Sequence, residues 1–299
     1  MKILITGGLG HLGSYLIESL PKDFDITIVD NLETQRYCSL FNLKRPISFI
    51  NSDVRDLSLN DFKDVNIVIH LASVTTAADS FSLKRELERD VEDAKYLISL
   101  CEKSDVEKLI FPSTSSVYGS NDKVMTEKSF LCPQSPYAKT KIEIENIIRA
   151  NCNKVDYLIL RLGTIFGISP GMRFHTAINK FCFQASCSDP LTVWKQNIEF
   201  RRPYLSLNDL NRGVVHFITS DKGWNETYNI LSENVRLSDI LESIRECRQD
   251  MSLNFVEVPL ANQFDYVVSD KKIRDQGFTP VQTIQEGILE TMSLLSDIS

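Results

Sequence analysis

Short apolar runs alternate with segments of helical period along the first half of the chain. The apolar runs predict strands at 2–6, 25–30, 47–53, 66–73, 108–114 and 156–163. Helices are predicted at 12–20, at 86–103 and from 135 onward, where Pro136 favours a first helical turn. Strands that alternate with helices form a parallel sheet covered on both faces. The sequence therefore predicts an α/β fold with a doubly wound parallel sheet.

Three glycines, Gly7, Gly10 and Gly13, directly follow the first apolar run. Glycine weakens both strands and helices, so this spacing needs a reason. A turn that tolerates positive φ, lets the backbone approach a pyrophosphate and packs a helix against a strand favours a missing side chain at each place. Free N–H groups at the start of the following helix would then receive the phosphates. We therefore expect a dinucleotide at this turn.

Asp30 ends the second predicted strand, about where a dinucleotide site places a carboxylate after its glycines. Such a carboxylate accepts hydrogen bonds from the ribose and repels a 2′-phosphate, which favours NAD over NADP. Nearby Arg36 weakens that preference, and a plain turn residue is the alternative interpretation of Asp30. Asp53, at the end of the third strand, is expected either at the adenine or as an ordinary loop acid.

Tyr137 and Lys141 lie four residues apart at a predicted helix start and therefore share one helix face. A phenol has a pKa of about 10, and a nearby ammonium favours the phenolate and lowers that value. The strand that ends at Thr114 places hydroxyls at the carboxyl edge of the sheet, where ligands bind. The alternatives are an exposed Tyr–Lys face and ordinary turn hydroxyls.

The texture of the sequence changes after Phe166, where Gly, Pro and Ser become frequent and the strands less clear. We predict a dinucleotide-binding domain at 1–166 and a smaller, mixed substrate-binding lobe at 167–299. Residues 202–231 again suggest a strand followed by a helix, and they are expected to return to the main domain.

Composition excludes several classes of protein. The net charge of −7 gives no support to nucleic-acid binding, and no apolar run approaches the roughly 20 residues of a membrane span. The first residues do not resemble a signal peptide, so a cytoplasmic location is expected. Seven cysteines without a C-x-x-C pair, together with four histidines, predict no metal site and no disulfide scaffold.

Several motifs, in this order, resemble the extended short-chain dehydrogenase/reductase family: GGLGHLG, Asp30, HLAS, FPSTSSVYG, YAKTK and RLGTIFG. The resemblance covers nearly the whole chain, and the family includes nucleotide-sugar epimerases and dehydratases. It implies a Rossmann fold, NAD as the cofactor and a nucleotide-sugar substrate. A shorter stretch, FGISPGMRFHTAINKF, resembles a narrower group that acts on nucleotide-activated heptoses and related sugars.

The resemblance also implies roles for individual residues. Thr114, Tyr137 and Lys141 would be catalytic, with Tyr137 as the base. The residues implied in cofactor binding are Gly7, Gly10, His11, Leu12, Gly13, Asp30, Asn31, Asp53, Val54, Leu71, Ala72, Ser73, Tyr137 and Lys141. Those implied in substrate binding are Thr114, Ser115, Thr164, Arg173 and Arg202.

Departures from the family pattern refine the expected reaction. Dehydratases of the family usually have Asp-Glu directly after the catalytic hydroxyl, but Ser115 and Ser116 follow Thr114. Elimination of water by that route is therefore doubtful. Gln263 and Phe264 stand where a second phosphate-binding arginine is common.

The expected activity is oxidation of a sugar hydroxyl, at the fourth ring carbon, to a keto intermediate with or without re-reduction. The alternatives are an NADPH-dependent 4-keto-sugar reductase and a non-catalytic NAD-binding sensor. A homodimer is also expected, because in this family the 86–103 helix and the helix of Tyr137 often pair across a two-fold axis. Core packing accounts equally well for their apolar stripes, which are formed by Leu87, Val91, Ala94, Ile98 and Cys101 on the first helix and by Ile144 and Ile148 on the second.

Overall fold

A central sheet of seven strands organises the chain in a computed structural model that describes residues 1–75, 79–121, 123–257 and 265–296. The strands are β1 (Lys2–Thr6), β2 (Asp25–Asp30), β3 (Ser48–Asn51), β4 (Ile67–His70), β5 (Lys108–Thr114), β6 (Val124–Met125), β7 (Asp156–Leu162), β8 (Thr164–Phe166), β9 (Leu191–Trp194), β10 (Arg201–Ser206), β11 (Glu226–Ile230), β12 (Glu233–Arg236), β13 (Leu253–Val256) and β14 (Val267–Val268). The helices are α1 (His11–Ser19), α2 (Lys84–Lys103), α3 (Pro136–Asn151), α4 (Ala177–Ser186), α5 (Leu207–Ser220), α6 (Leu237–Cys247), α7 (Lys271–Arg274) and α8 (Ile284–Leu294).

The central sheet has the order β11–β7–β5–β4–β1–β2–β3, and all its neighbouring strands are parallel. Side chains of β1 alternate between its two faces. Ile3 and Ile5 pack in one core with α1 and α5, whereas Leu4 packs in the other with α2 and α3. Helices therefore cover both faces, and the predicted doubly wound parallel sheet is confirmed.

Two strands end earlier than the apolar pattern predicts. The residues predicted to end them lie in loops instead. β3 ends where Asn51 pairs with Asp30, and β4 ends where His70 pairs with Thr6. Beyond these pairs the backbone leaves the sheet at its carboxyl edge. The predicted strand ends at Asp53 and Ser73 therefore belong to loops at that edge.

A smaller part of the chain has a mixed sheet of its own. β10 is parallel to β8 and antiparallel to β12, while β9 pairs with β13. A separate apolar core joins β8, α4, β9, α6 and α8. The predicted smaller, mixed part of the fold is thus confirmed, whereas its role in substrate binding stays a prediction.

The elements around residue 202 divide between the two parts. α5 packs in the same core as α1, and β11 pairs with β7, so residues 207–230 lie with the central sheet. β10 instead belongs to the smaller sheet, together with β8, which precedes residue 167. The domain limits at 1–166 and 167–299 stay a prediction.

The apolar stripe on α2 is buried within the chain. The five residues that define it have exposed fractions of 0–7% and are Leu87, Val91, Ala94, Ile98 and Cys101. Ile144 and Ile148 of α3 pack in the same core. Core packing therefore accounts for both stripes, and the homodimer stays a prediction.

Three further findings concern the described residues. None of their helices is long and apolar enough to cross a membrane. They contain no group of three or more His, Cys, Asp or Glu side chains that could hold a metal ion. All seven cysteines are free thiols.

Candidate active site

A cavity of about 840 Å³ opens at the carboxyl edge of the central sheet and extends along the smaller part of the chain. Its size lies within the range of small-molecule sites. The predicted site residues that line it are Gly7, Gly10, His11, Leu12, Gly13, Asp30, Asn31, Asp53, Val54, Leu71, Ala72, Ser73, Thr114, Tyr137, Lys141, Thr164, Arg173 and Arg202. Of the predicted site residues, only Ser115 does not line it.

The glycine turn between β1 and α1 fits closely against its neighbours. Gly7 has φ +64°, and a Cβ there would lie 2.6 Å from the amide nitrogen of Ala72. A Cβ on Gly13 would lie 2.4 Å from the carbonyl oxygen of Gly8. A Cβ on Gly10 would meet just one atom within 4 Å among the described residues, the Gly7 oxygen at 3.3 Å. Gly7 and Gly13 are therefore required by the fold, whereas Gly10 leaves space open at the cavity.

Residues 169–172 of the smaller part lie against this turn. The His11 Nδ1 and Ser169 Oγ atoms are 2.7 Å apart, and the amide of Gly171 donates to Ser14 Oγ at 2.9 Å. A Cβ on Gly171 would lie 2.5 Å from the carbonyl oxygen of Leu9. The two parts of the chain therefore meet through backbone contact beside the cavity.

The Asp30 carboxylate is held in place at the end of β2. Its two oxygens accept from the amides of Leu9, at 3.1 Å, and Leu32, at 2.9 Å. Each oxygen has a further lone pair, so Asp30 can still accept from a ribose hydroxyl. Arg36 donates from Nη1 to the carbonyls of residues 171–172, which ties one end of its guanidinium to the backbone. This engagement reduces the sequence-based objection to NAD.

A capped helix start places Tyr137 and Lys141. Ser135 accepts from the amide of Ala138 at 3.2 Å, and Pro136 occupies the first turn of α3. Tyr137 and Lys141 follow one turn apart, with Lys141 Nζ 5.7 Å from the centre of the Tyr137 ring. The Tyr137 phenol shares a hydrogen bond with Thr114, which ends β5. These three side chains thus meet at the cavity that also contains the glycine turn.

The family model described as the NAD dependent epimerase/dehydratase family matches residues 3–230. The chain belongs to this family. It is 27% identical to a dTDP-D-glucose 4,6-dehydratase of Bos taurus, over 97% of this chain and 87% of that protein. It is 28% identical to the UDP-glucose epimerase YtcB of Bacillus subtilis, itself uncharacterised, over 77% of this chain and 76% of that protein.

Solved structures agree on the fold. A UDP-glucuronic acid 4-epimerase from Bacillus cereus, in complex with UDP-glucuronic acid and NAD, superposes with a TM-score of 0.90 and 24% identity, covering 100% of both chains. As an epimerase/dehydratase family member, the chain has NAD as its cofactor, and the residues present fit it. The Gly10 position leaves room for a pyrophosphate, and Asp30 is placed for a ribose.

The electrostatics of this site include a burial effect that the spacing of Tyr137 and Lys141 does not show. Burial raises the pKa of Tyr137 to about 12, so the net pKa is not lowered, whereas the expected effect of Lys141 alone stays a prediction. The hydrogen bond from Thr114 and the charge of Arg173 lower this pKa, while Asp90 raises it. The desolvation of the phenol is larger than the effect of the groups that favour its ionised form.

Lys141 is itself buried beside the phenol. Burial lowers its pKa to about 8, and the charges of Asp90 and Glu145 raise it. Its Nζ donates to Ser73 Oγ at 3.1 Å and lies 4.8 Å from the centre of the Phe111 ring. The Lys141 side chain is therefore held by the loop after β4 and by a ring on β5.

Sequence reasoning missed two adjacent residues of α2 that line the cavity, Arg89 and Asp90. Arg89 forms an ion pair with Asp53, which also accepts from the Asn31 side-chain amide at 3.4 Å and from the Arg55 backbone amide at 3.3 Å. Asp90 binds Ser73 instead. Neither residue carries a local motif, because their roles depend on how α2 packs over the loops after β3 and β4.

The smaller part of the chain contributes cations to the cavity. Arg173, Lys180 and Arg202 line it, whereas the carboxylates that line it among the described residues all lie within residues 30–93. Arg202 is half-buried, and its Nε has no hydrogen-bond partner within the described part of the chain. This wall therefore favours an anionic group of the substrate.

The structure does not bring Ser115 to the cavity. Ser115 turns away from Thr114 in the short 3₁₀ turn after β5, and its Oγ lies 3.1 Å from the Tyr266 hydroxyl. Ser116, the next residue, lines the cavity with its Oγ 2.9 Å from Thr114 Oγ1. Gln263 and Phe264 lie outside the described residues.

Proposed function

We propose that the protein oxidises the hydroxyl at the fourth ring carbon of a nucleotide-activated sugar and, after the keto sugar has turned over, re-reduces it on its other face, which makes the protein an epimerase. The observation that carries this proposal is the hydrogen-bonded pair of Thr114 and Tyr137, next to Lys141, in one cavity with the glycine turn. Bound NAD supplies the hydride acceptor. The chain supplies the base, its charge balance and the binding surfaces.

The protein's own steps follow from these side chains. Thr114 holds the sugar hydroxyl, and Oη of Tyr137 removes its proton. Lys141 and Arg173 favour the phenolate by their charge, against the burial that disfavours it. Return of the same proton from Tyr137 accompanies re-reduction, so the base is regenerated in each cycle.

The cationic wall supports a nucleotide diphosphate as the activating group. Arg202, Lys180 and Arg173 bring three positive charges to the cavity from the same part of the chain. The named relatives carry UDP- or dTDP-sugars in their names, which supports the same class for this chain. The resemblance to the heptose group stays a prediction.

Epimerisation is favoured over dehydration by the residues after Thr114. Elimination needs an additional acid and base beside the sugar, and the two positions that supply them in dehydratases hold Ser115 and Ser116. The Ser115 hydroxyl is hydrogen-bonded to the Tyr266 hydroxyl. Hydroxyls at these positions cannot act as the carboxylic acid and carboxylate of a dehydratase.

The reductase alternative is less well supported because Asp30 lies at the ribose position and Arg36 is engaged by backbone carbonyls. The sensor alternative does not account for a base held against a hydroxyl. Both remain outcomes of the experiment below.

The experiment incubates purified protein with UDP-, dTDP-, GDP- and CDP-sugars and follows conversion by NMR. Tyr137→Phe should lower turnover by about 10²–10⁴-fold, because it removes the proton acceptor, and should leave the NAD dissociation constant within about twofold. Tyr157→Phe is the matched control, because Tyr157 lies near the amino end of β7 and does not line the cavity. It should leave turnover and the NAD dissociation constant unchanged.

Each alternative has its own result. Turnover with NADPH and a keto sugar alone would favour the reductase. Full NAD binding without conversion of any sugar would favour the sensor. Turnover by Tyr137→Phe at the wild-type rate would refute the proposed mechanism.

We also propose a cytoplasmic homodimer, as the sequence predicts. The residues of the predicted stripe are buried, so an interface on α2 and α3 would use their outer residues, such as Tyr96, which is 37% exposed. Sedimentation of the purified protein at micromolar concentration tests this proposal.

A further inference from the structure

A buried carboxylate on α2 contacts the turn that holds the catalytic lysine. Asp90 is 8% exposed, and its Oδ2 accepts from Ser73 Oγ at 2.6 Å and from the amide of Val74 at 2.8 Å. Ser73 Oγ in turn accepts from Lys141 Nζ at 3.1 Å. Ser73 Oγ also lies 3.0 Å from the Val74 carbonyl oxygen, but the carboxylate is the nearer and charged acceptor, so the single serine proton points to Asp90 and a lone pair faces the ammonium. Carboxylate, hydroxyl and ammonium thus form a continuous chain.

The other carboxylate near Lys141 is already neutralised. Glu145, one turn further along α3, is bound by Arg161 through both oxygens, at 3.0 and 2.7 Å, and by Arg149 at 2.8 Å. His70, on β4, is buried, and both burial and the charge of Lys141 lower its pKa, so it stays neutral at neutral pH. Asp90 is therefore the nearby carboxylate whose charge is balanced mainly by Lys141.

The remaining charges around Asp90 lie on its own helix. Arg89 is committed to Asp53, and Asp93 pairs with Arg55 at 3.0 Å. Burial raises the pKa of Asp90, while Lys141, Ser73, the Val74 amide and Arg89 lower it, in that order. Lys141 is thus the first of the groups that stabilise the ionised carboxylate.

We infer that Asp90 is a positioning residue of the hydride-transfer site, which fixes the place and the charge of the Lys141 ammonium through Ser73. This inference rests on the proposed function. An asparagine at position 90 has the same shape and could accept the same two hydrogen bonds, so the feature that Asp90 adds is its charge. That charge keeps Lys141 protonated in a buried setting and opposes early ionisation of Tyr137.

Asp90→Asn tests the charge alone. In protein labelled with ¹³C-lysine, the titration midpoint of Lys141 should move about one pH unit lower than in wild type, since an opposite charge close by has been removed. The Lys141 resonance is assigned by its absence from Lys141→Met. Glu88→Gln, exposed on the same helix and outside the cavity, is the matched control and should not move the midpoint.

Turnover provides the second measurement. The alkaline limb of the kcat–pH profile should move in the same direction in Asp90→Asn, because activity needs the ammonium, whereas the KM for the sugar should stay within about twofold. A merely structural role would lower the melting temperature without moving either midpoint. Titration and pH profiles that coincide with wild type would overturn the inference.

Ser73→Ala tests the connection and covers the case in which Asp90→Asn does not fold. It removes the hydroxyl and leaves the hydrogen bond from Val74 to Asp90. If Asp90 acts through Ser73, kcat falls in Ser73→Ala, and the double variant is no slower than the slower single variant. An unchanged kcat in Ser73→Ala, or effects that simply multiply, would overturn the connection.

The lysine titration needs no substrate. Failure to convert any of the sugars would therefore refute the proposed function. The shift of the Lys141 midpoint would still decide the role of Asp90.

Discussion

Two glycines of the same turn should respond oppositely to alanine. In Gly13→Ala the new Cβ would lie 2.4 Å from the Gly8 oxygen, against about 3.4 Å for an ordinary contact, so backbone must move by about 1 Å. Such overpacking costs about 1–3 kcal/mol, and the neighbours here are backbone atoms that cannot rotate away, so the cost lies at about 2–3 kcal/mol. Gly13 lies within α1, where alanine gains up to about 1 kcal/mol of helix propensity, which offsets only part of the loss.

The net loss for Gly13→Ala is therefore about 1–2 kcal/mol, or about 2–8 °C in melting temperature. Gly10→Ala meets one oxygen at 3.3 Å and has φ −68°, which alanine adopts freely. Its Cβ faces the cavity, so the protein should melt within about 2 °C of wild type but bind NAD at least about tenfold more weakly.

Melting without NAD, together with calorimetric titration of NAD, measures both effects. The reasoning is refuted if Gly10→Ala binds NAD as tightly as wild type, or if Gly13→Ala melts at the wild-type temperature. Lower melting temperatures for both variants to the same extent would show that Gly10 also serves the fold.

Two further predictions concern buried ionisable groups. Burial lowers the pKa of His11 and of His70 to about 3. Below about pH 6.5 the unfolded chain therefore binds more protons than the folded chain, and stability falls as the pH falls. Each histidine should lower the free energy of unfolding by about 2 kcal/mol between pH 7 and pH 5. Urea unfolding at both pH values checks this prediction. The free energy of unfolding of His70→Asn should differ less between pH 7 and pH 5 than that of wild type, and an equal difference contradicts the prediction. Glu145→Gln leaves the buried Arg161 without its counter-ion and should cost about 3–5 kcal/mol in urea unfolding, whereas the exposed Glu143→Gln should cost nothing measurable. A stable Glu145→Gln protein would show that Arg161 finds another partner.

Local patterns were sufficient to predict the central sheet and the residues around its carboxyl edge. β1, β2 and β5 have the predicted bounds, because each apolar run there ends at the last ladder pair. The positions of Gly7, Gly13 and Tyr137 follow from short-range geometry of turn and helix. Such features are determined by interactions between residues close in the sequence, so a single sequence is enough to predict them.

Features set by packing between distant segments could not be predicted. Ser115 and Ser116 are adjacent hydroxyls, and only the turn after β5 decides which one faces the cavity. The raised pKa of Tyr137 depends on its burial, which no spacing reveals. Arg89 and Asp90 are consecutive charges on a helix, and their separate partners appear only when α2 is docked.

The contact between residues 169–172 and the glycine turn couples the two parts of the chain. Gly171 lies against the Leu9 carbonyl, and Ser169 is bonded to His11, so the beginning of the smaller part is joined to the glycine turn. A larger side chain at position 171 would push the two segments apart, and the damage would first appear as loss of the dinucleotide rather than of the sugar.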